Sequence, residues 1–330
     1  MVKRQQQQQN IKKTMQGISL VSVLVVSGLK FLFAGYAFVT IISSLVAANQ
    51  ERKLWAPSNM PSLTLLGLTK VFCFNLIWII SCTVGCLLIG IKHVLLLGSS
   101  DLVWECNCYV ERYSAILCTA LLGRVTLVGA ENLPPDDETQ IPAPVYIANH
   151  ASQIDLGAVY FLQRRFKWIA KQSVVYIPGV GATMYMGDHV LINRIKGQNK
   201  QSVVNLFDKS HAAVQQGIPM FLFPQGTRVM SQRLPFKDGA FIIAQANQSV
   251  LVPISIEIPM NVWETWYPLS HKVIPEIKLT IHKPIPTTGN EDREALKKQC
   301  FDVIYSCLPP IWEQQQQEQE KAEPKTKKEQ

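Results

Sequence analysis

Hydrophobic positions are distributed unevenly along this chain. The stretch from 18 to 48 has Lys30 as its only charged residue, and the stretch from 71 to 91 has no charged residue. A helix needs about 20 predominantly apolar residues to cross a bilayer, so both stretches are long enough to cross. The pattern predicts a membrane region over residues 18–98, with hydrophobic helices at about 20–46 and 71–91.

Between residues 99 and 312 the pattern changes to short apolar runs that alternate with helical periodicity. Seven of these runs have the length and composition of β-strands. Strands that alternate with helices predict an α/β domain with a mixed, largely parallel sheet covered by helices. The predicted strands lie at 125–128, 145–148, 167–170, 190–193, 218–223, 250–258 and 278–281.

Both ends of the chain are of low complexity. Residues 1–17 contain a glutamine run and four basic residues, and residues 313–330 are almost wholly Gln, Glu and Lys. Neither end can bury an apolar face, so both are predicted to be disordered. Basic residues ahead of the first apolar stretch predict a cytosolic N-terminus, and two crossings then leave the domain over 99–312 in the cytosol. A hairpin that embeds in one leaflet would give the same sidedness, and this alternative stays open.

The net charge narrows the class of partners. A charge of +8 suits adhesion to anionic membrane lipids. Nucleic-acid binding is not predicted, because the sequence has no zinc-finger spacing and no RNA-binding aromatic motif. The eight cysteines form no Cys-x-x-Cys pair, so neither a metal site nor a disulfide framework is predicted.

Two predicted strand ends carry residues suited to acyl transfer. His150 and Asp155 follow the apolar run at 144–148, and Arg228 follows the run at 220–223. Loops at strand ends are where α/β folds place their ligands. A neutral histidine can remove a hydroxyl proton near pH 7, an aspartate can orient that histidine, and the fork of an arginine suits a phosphate. The pattern therefore predicts acyl transfer to a phosphate-bearing alcohol.

The motifs around these residues resemble the glycerophospholipid acyltransferase family, in particular the 1-acyl-sn-glycerol-3-phosphate acyltransferases. They are Asn-His-x-x-x-x-Asp at 149–155, Leu-Ile-Asn-Arg at 191–194 and Phe-Pro-Gln-Gly-Thr-Arg at 223–228. The resemblance extends from about residue 125 to residue 258, and its strength lies in the order and spacing of the motifs.

The resemblance implies a membrane-bound enzyme of phospholipid biosynthesis. Such an enzyme transfers an acyl group from acyl-CoA, its co-substrate, to the sn-2 hydroxyl of lysophosphatidic acid and forms phosphatidic acid. His150 and Asp155 would be the catalytic pair, with direct attack on the thioester and no metal or other cofactor. The residues implied in phosphate binding are Arg194, Arg228 and Lys171, and those implied in substrate positioning are Asn149, Gln225, Gly226 and Thr227.

Two positions depart from the family pattern. Gln225 stands where the family has glutamate, and Asp188 stands where it has glycine, with Gly187 displaced by one. These departures leave two alternatives open. One is an acyltransferase for another acceptor, either glycerol 3-phosphate or a lysophospholipid with a larger headgroup. The other is a non-catalytic lipid-binding membrane protein. An acyl carrier protein in place of coenzyme A also stays open as the donor.

The C-terminal residues bear on localisation. Lys327 and Lys328 resemble the dilysine signal that retrieves membrane proteins to the endoplasmic reticulum. We therefore predict an integral membrane protein of the endoplasmic reticulum with a cytosolic catalytic domain, in preference to a plastid membrane protein.

Overall fold

The computed structural model describes most of the chain from residue 65 to residue 309. The predictions for 1–17 and 313–330 lie outside the described residues, as does most of the predicted helix at 20–46. The described residues are 30, 33–35, 38, 65–96, 100–136, 140–177, 179–193, 199–228, 233–258 and 276–309.

Two long helices precede the sheet. Helix α1 spans Leu65–Leu96 and helix α2 spans Ser100–Ala120. Within α1 the segment Phe72–His93 is long and apolar enough to cross a membrane, and it is the one such segment among the described residues. Helix α1 is longer than the 71–91 predicted, and no proline stands in its flanking residues 65–70 and 92–96 to end it.

The inner face of α1 packs closely on α2. Phe74 and Cys82 are fully buried. A Cβ atom at Gly85 would lie 2.5 Å from a methyl group of Val110, so a glycine is needed for the two helices to approach this closely. From residue 65 onward all described residues belong to one compact unit, Pro61–Gln330. Helix α1 thus belongs to the same unit as the sheet, and the predicted domain boundary at 98/99 stays a prediction.

A seven-stranded sheet forms the centre of the domain, with the order β1-β7-β6-β2-β5-β3-β4. Neighbouring strands are parallel except for β6 and β7. The predicted mixed, largely parallel sheet is thus confirmed. The strands are β1 Arg124–Val128, β2 Val145–Ala148, β3 Lys167–Lys171, β4 Val190–Ile192, β5 Met220–Leu222, β6 Leu251–Glu257 and β7 Glu276–Ile281.

Helices cover both faces of this sheet, and alternate residues of each strand point to opposite faces. Tyr146 and Phe221 belong to the core shared with α1 and α2. Val145 and Met220 belong to the core on the other face. Burial on both faces explains why the central strands are continuously apolar in sequence. The remaining helices are α3 Ile154–Ala158, α4 Val180–Met186, α5 Asn199–Gln215, α6 Gly239–Asn247 and α7 Arg293–Tyr305.

Candidate active site

The carboxyl ends of β2 and β5 bring the first and third motifs together. These strands are parallel neighbours, so the loops that follow them leave the same edge of the sheet. Nδ1 of His150 lies 2.8 Å from Oδ2 of Asp155. The same oxygen accepts hydrogen bonds from the backbone N–H groups of Ala151 at 2.6 Å and Ser152 at 2.9 Å. Three donors therefore hold one carboxylate oxygen.

This arrangement selects the tautomer of His150. A carboxylate can only accept a hydrogen bond, so Nδ1 carries the proton and Nε2 presents its lone pair. Among the described residues Nε2 has no hydrogen-bond partner, and the side chain is 11% exposed. Asp155 is fully buried in the first turn of α3, where the helix dipole also stabilises its negative charge. The pair has the geometry of a general base with an orienting carboxylate.

The surroundings of His150 keep it neutral near pH 7. Its ring stacks on Phe223, with 3.9 Å between ring centroids and 8° between planes. Burial lowers the pKa of His150 below its ordinary 6.5, the positive charge of Arg228 acts in the same direction, and Asp155 opposes both. The imidazole is consequently available to accept a proton at physiological pH.

Arg228 completes the charged part of the site. Its guanidinium interacts electrostatically with both Asp155 and His150. Burial lowers its pKa, and Asp155 raises it, yet a guanidinium stays protonated in proteins. The site therefore contains a partly desolvated cation beside a histidine with a free ring nitrogen.

Gln225 is a support for His150. It is 2% exposed, and its Oε1 accepts a hydrogen bond of 2.5 Å from the backbone N–H of His150. The same side chain contacts the hydroxyl of Tyr305 at the end of α7. A glutamate carboxylate could accept the backbone hydrogen bond equally well, so the glutamine at this position keeps the contact that orients the first motif.

Asn149 supports the same loop from the other side. Its Nδ2 donates to the carbonyl of Ile256 at 2.9 Å, and its Oδ1 accepts from the N–H of Ile256 at 2.7 Å. The side chain extends the pairing of β2 with β6, which ends at Ala148 and Ile254. Asn149 thus uses both ends of its amide to hold backbone, and it acts on the site through the position of His150.

The turn at 223–228 depends on a glycine. Gly226 has a φ of 73°, a conformation that side chains disfavour, and its N–H donates to the carbonyl of Phe223 at 2.9 Å. A Cβ atom at this position would lie 2.6 Å from Nζ of Lys237. Thr227 is exposed at the surface of the turn.

The second motif is described in part. Lys171 is the last residue of β3 and is exposed, at the sheet edge where β2 and β5 also end. Arg194 lies outside the described residues. Gly187 lies one position before the place where the family pattern has glycine. A glycine is required at 187 because a Cβ atom there would lie 2.5 Å from Nε2 of His189. Asp188 takes the left-handed conformation, with a φ of 42°, which aspartate tolerates better than most residues.

Salt bridges hold Asp188 in this conformation. Its carboxylate oxygens lie 3.0 Å from Nζ of Lys167 and 3.0 Å from Nζ of Lys209. Gly187 and Asp188 together replace the glycine of the family pattern. Gly187 leaves room for the ring of His189, and Asp188 takes the left-handed backbone conformation of the turn.

A second histidine–carboxylate pair was not predicted from the sequence. Nε2 of His189 lies 2.7 Å from Oε1 of Glu111, and Nδ1 of His189 accepts from the backbone N–H of Trp168 at 2.9 Å. Glu111 also accepts from the hydroxyl of Tyr160 at 2.9 Å, which in turn accepts from Nε1 of Trp168 at 2.8 Å. The contacts join residues 49 and 78 positions apart in sequence, and no local pattern indicates them.

The aromatic wall behind His150 was also missed. Phe223 stacks on Trp168, with 5.7 Å between ring centroids and 22° between planes, so the ring that supports His150 is itself supported by β3. Among the described residues no three His, Cys, Asp or Glu side chains converge to hold a metal ion.

Comparisons with known proteins identify the domain. Residues 124–257 match the family model described as Acyltransferase, and this segment contains all the geometry above except the contacts of Glu111 and Tyr305. The chain is 32% identical over 204 residues to a 1-acyl-sn-glycerol-3-phosphate acyltransferase of Chlamydomonas reinhardtii, which covers 61% of this chain and 58% of that protein. It is 29% identical over 250 residues to a chloroplastic enzyme of the same name from Brassica napus, covering 75% of this chain and 69% of that protein.

The chain is also similar to a human acyltransferase and to one of solved structure. The beta form of human 1-acyl-sn-glycerol-3-phosphate acyltransferase is 30% identical over 149 residues, 44% of this chain and 51% of that protein. The crystal structure of a 1-acyl-sn-glycerophosphate (LPA) acyltransferase from Thermotoga maritima has a TM-score of 0.56 at 19% identity, covering 73% of this chain and 95% of that chain. At this identity it supports the fold.

The fold, the paired His150 and Asp155 and the family match define an acyltransferase domain. Residues 124–257 match the acyltransferase family model, and the resemblance to the 1-acyl-sn-glycerol-3-phosphate acyltransferases predicted from the motifs is confirmed. The chain spans 58% of the length of the Chlamydomonas protein and 51% of the human one.

Proposed function

We propose that the protein is a 1-acyl-sn-glycerol-3-phosphate acyltransferase that forms phosphatidic acid. One observation carries this proposal: the hydrogen bond of 2.8 Å between His150 and Asp155. The second ring nitrogen of this histidine has no partner in the described part of the chain, and Arg228 supplies a positive charge beside it. The names of the relatives support the acceptor, because all three curated relatives described above are named for 1-acyl-sn-glycerol 3-phosphate.

The mechanism follows from the roles that these side chains can take. Nε2 of His150 removes the proton of the sn-2 hydroxyl while the oxygen attacks the thioester carbonyl. A C–O bond forms, and the tetrahedral intermediate then breaks its C–S bond. The imidazolium returns the proton to the departing sulfur, which leaves as the thiol of coenzyme A. Asp155 stabilises the imidazolium while it exists.

The acceptor's phosphate is the group that the basic side chains would bind. Arg228 lies beside the catalytic pair, and an arginine can contact two phosphate oxygens at once. Lys171 at the end of β3 and Arg194 in the second motif complete the proposed phosphate site. No observation on this chain favours glycerol 3-phosphate or a larger lysophospholipid, since Gln225 makes the backbone contact that keeps the first motif in place.

Membrane attachment and donor are the remaining parts of the proposal. The outer face of α1 and a stripe on α2 expose apolar side chains, which favours contact with lipid. We propose acyl-CoA as donor and the endoplasmic reticulum as location. Two relatives are chloroplastic by name, so imaging of a fluorescent fusion of the full chain would distinguish the two membranes. The exposed side chains are Ile80, Val84, Leu87, Leu88 and Ile91 on α1 and Tyr109, Tyr113 and Leu117 on α2.

Acyl transfer by detergent-purified protein tests the proposal. Labelled acyl-CoA would be supplied with lysophosphatidic acid, glycerol 3-phosphate or lysophospholipids that carry a larger headgroup, each beside His150→Ala. We expect labelled product with lysophosphatidic acid and none from the variant. Faster transfer to another acceptor would reassign the substrate. An absence of product from every acceptor and from both acyl-CoA and acyl carrier protein, with lipid binding intact, would favour a lipid-binding protein.

A further inference from the structure

The chain after the catalytic turn folds back over it. The backbone N–H of Lys237 donates to the carbonyl of Pro224 at 2.8 Å. An atom placed as Cβ on Gly226 would lie 2.6 Å from Nζ of Lys237 and 3.2 Å from its Cδ and Cε. The lysine stem therefore lies across the backbone of Gly226, in space that any other residue at 226 would occupy. The missing side chain of Gly226 makes room for an ammonium group.

The position of Lys237 is set by the residues on either side. Phe236 is 5% exposed, and its ring packs against Phe301 and Tyr305 of α7, with centroids 5.2 and 6.2 Å away. Helix α6 begins two residues after Lys237, at Gly239. The backbone of Lys237 is thus anchored by the buried ring of Phe236 before it and by helix α6 after it.

The charge of Lys237 is not neutralised within the described part of the chain. The nearest carboxylate in sequence, that of Asp238, lies 2.8 Å from Nζ of Lys297 on α7 and is occupied by that lysine. Lys237 forms no ion pair with the described residues, and it is exposed. Arg228 at the far end of the same turn differs, because Asp155 balances part of its charge. An uncompensated cation thus lies against the turn that supports His150.

We propose that Lys237 binds a phosphate oxygen of a substrate beside the catalytic pair. This inference rests on the proposed function and adds a binding residue to it. An ammonium on a flexible stem suits phosphate as a point charge, and a solvent-exposed cation with no carboxylate partner loses little when an anion binds. Two substrates carry the group that Lys237 recognises: the phosphate monoester of the lysophosphatidic acid and the phosphates of acyl-CoA.

Substrate kinetics of Lys237→Met test the proposal. Methionine keeps most of the apolar stem that covers Gly226 and removes the charge. We expect KM for one phosphate-bearing substrate to rise about tenfold, the size of one charge-assisted hydrogen bond, with kcat within about twofold. Lys237→Arg should restore most of the affinity. The matched control is Lys298→Met, which removes an exposed lysine on α7 that pairs with Asp302.

The two substrates are varied separately to identify the phosphate. A rise in KM for lysophosphatidic acid alone assigns Lys237 to the acceptor, and a rise in KM for acyl-CoA alone assigns it to the donor. A rise in both, with the melting temperature unchanged, supports binding of phosphates from both substrates. Unchanged KM values for both, or a fall in kcat alone, would overturn the proposal.

Binding to inactive protein separates this inference from the proposed function. His150→Ala and the double variant His150→Ala/Lys237→Met would be titrated with lysophosphatidic acid and with coenzyme A by calorimetry in detergent. We expect Kd of one ligand to be about tenfold higher in the double variant. Equal affinities would reject the role of Lys237 and leave the acyltransferase proposal intact. Weaker binding in a protein whose wild type transfers no acyl group would reject the acyltransferase proposal alone.

Discussion

Two histidine–carboxylate pairs in this domain have nearly the same hydrogen-bond length, but they differ in the partners of the second ring nitrogen. His150 lies 2.8 Å from Asp155 and His189 lies 2.7 Å from Glu111. In the first pair one ring nitrogen is bound and the other is free among the described residues. In the second pair both nitrogens are occupied, by Glu111 and by the backbone of Trp168. His189 therefore has no lone pair to offer a substrate.

The difference bears on which histidine can act as the proposed base. Burial and a carboxylate are common to both pairs, so neither feature distinguishes them. The distinguishing feature of His150 is a ring nitrogen without a partner among the described residues, next to the cation of Arg228. The Glu111 pair instead joins α2 to the strand that supports the aromatic wall of the site, and its role is to stabilise that connection.

The largest effect should come from His150→Ala. Removal of a general base lowers kcat by about 10²–10⁴-fold, whereas the domain should stay folded because the N–H groups of Ala151 and Ser152 still bind the Asp155 carboxylate. Single-turnover acyl transfer at saturating substrate gives the rate, and differential scanning calorimetry in detergent gives the stability. Full activity in the variant would show that His150 and His189 do not differ in the way proposed.

Glu111→Ala should lower the stability of the domain, in contrast to His150→Ala, which should mainly lower activity. The change leaves the buried donors of His189, Tyr160 and Asn107 without this acceptor, and one unsatisfied buried donor costs about 1–3 kcal/mol. The free energy of unfolding, from denaturant titration, should fall by at least that amount. The conservative Glu111→Gln retains one acceptor oxygen and should lose less. A stable Glu111→Ala protein would contradict a structural role.

The pH profile sharpens the contrast at His150. Its pKa is lowered chiefly by burial, and the base works only when neutral, so activity should persist as pH falls and be lost through a value below the ordinary 6.5. Arg228→Gln removes a repulsive charge and should move the acidic limb of kcat/KM to higher pH. Asp155→Asn removes the interaction that raises the pKa and should move it lower.

Ionisation of the substrate also changes kcat/KM with pH, and it does so equally in the wild type and in the variants. Only the difference between profiles reports on His150. The acidic limb of Lys298→Met should coincide with that of wild type, and identical limbs for Arg228→Gln and wild type would show that Arg228 does not act on His150.

The smallest effect is expected for Gln225→Glu. A carboxylate at this position can accept the N–H of His150 as the amide does, so kcat should stay within about threefold of wild type. Gln225→Ala is the matched comparison, since it leaves a partly buried N–H unpaired at a cost of about 1–3 kcal/mol. Acyl-transfer rates and melting temperatures of the two variants together show whether Gln225 acts as a support. A strong gain of activity in Gln225→Glu would instead indicate a missing charge.

The positions of the strands and the pairing of His150 with Asp155 can be predicted from local sequence patterns. The seven strands appear where short apolar runs predict them. In the central strands β2, β5 and β6 such runs are required because both faces of the sheet are buried. The spacing of His150 and Asp155 places the aspartate in the first turn of a short helix, so that its carboxylate faces back to the histidine. The hydrogen bond between His150 and Asp155 depends only on the end of β2 and on the few backbone residues between the two side chains.

Other parts of the site depend on contacts between distant segments. The stack of Phe223 on His150 joins the ends of two strands, and the approach of Lys237 to Gly226 requires a loop to fold back over a turn. The shift from glycine to Gly187 and Asp188 is visible as a departure from a pattern, but its reason is the ring of His189 pressing on Gly187. The spacing of residues in the sequence does not predict that Lys237 lies beside Gly226 or that His189 lies beside Gly187.

The residue order alone therefore specified the groups that the proposed chemistry uses: a histidine and an aspartate five residues apart, an arginine on a glycine-containing turn, and an apolar helix ahead of them. These depend on near neighbours, whose relative positions are limited by backbone geometry. Three-dimensional packing determined which histidine keeps a free nitrogen, since every partner of His189 comes from a different segment of the chain. A hydrogen bond between segments exists only after the sheet has brought them together.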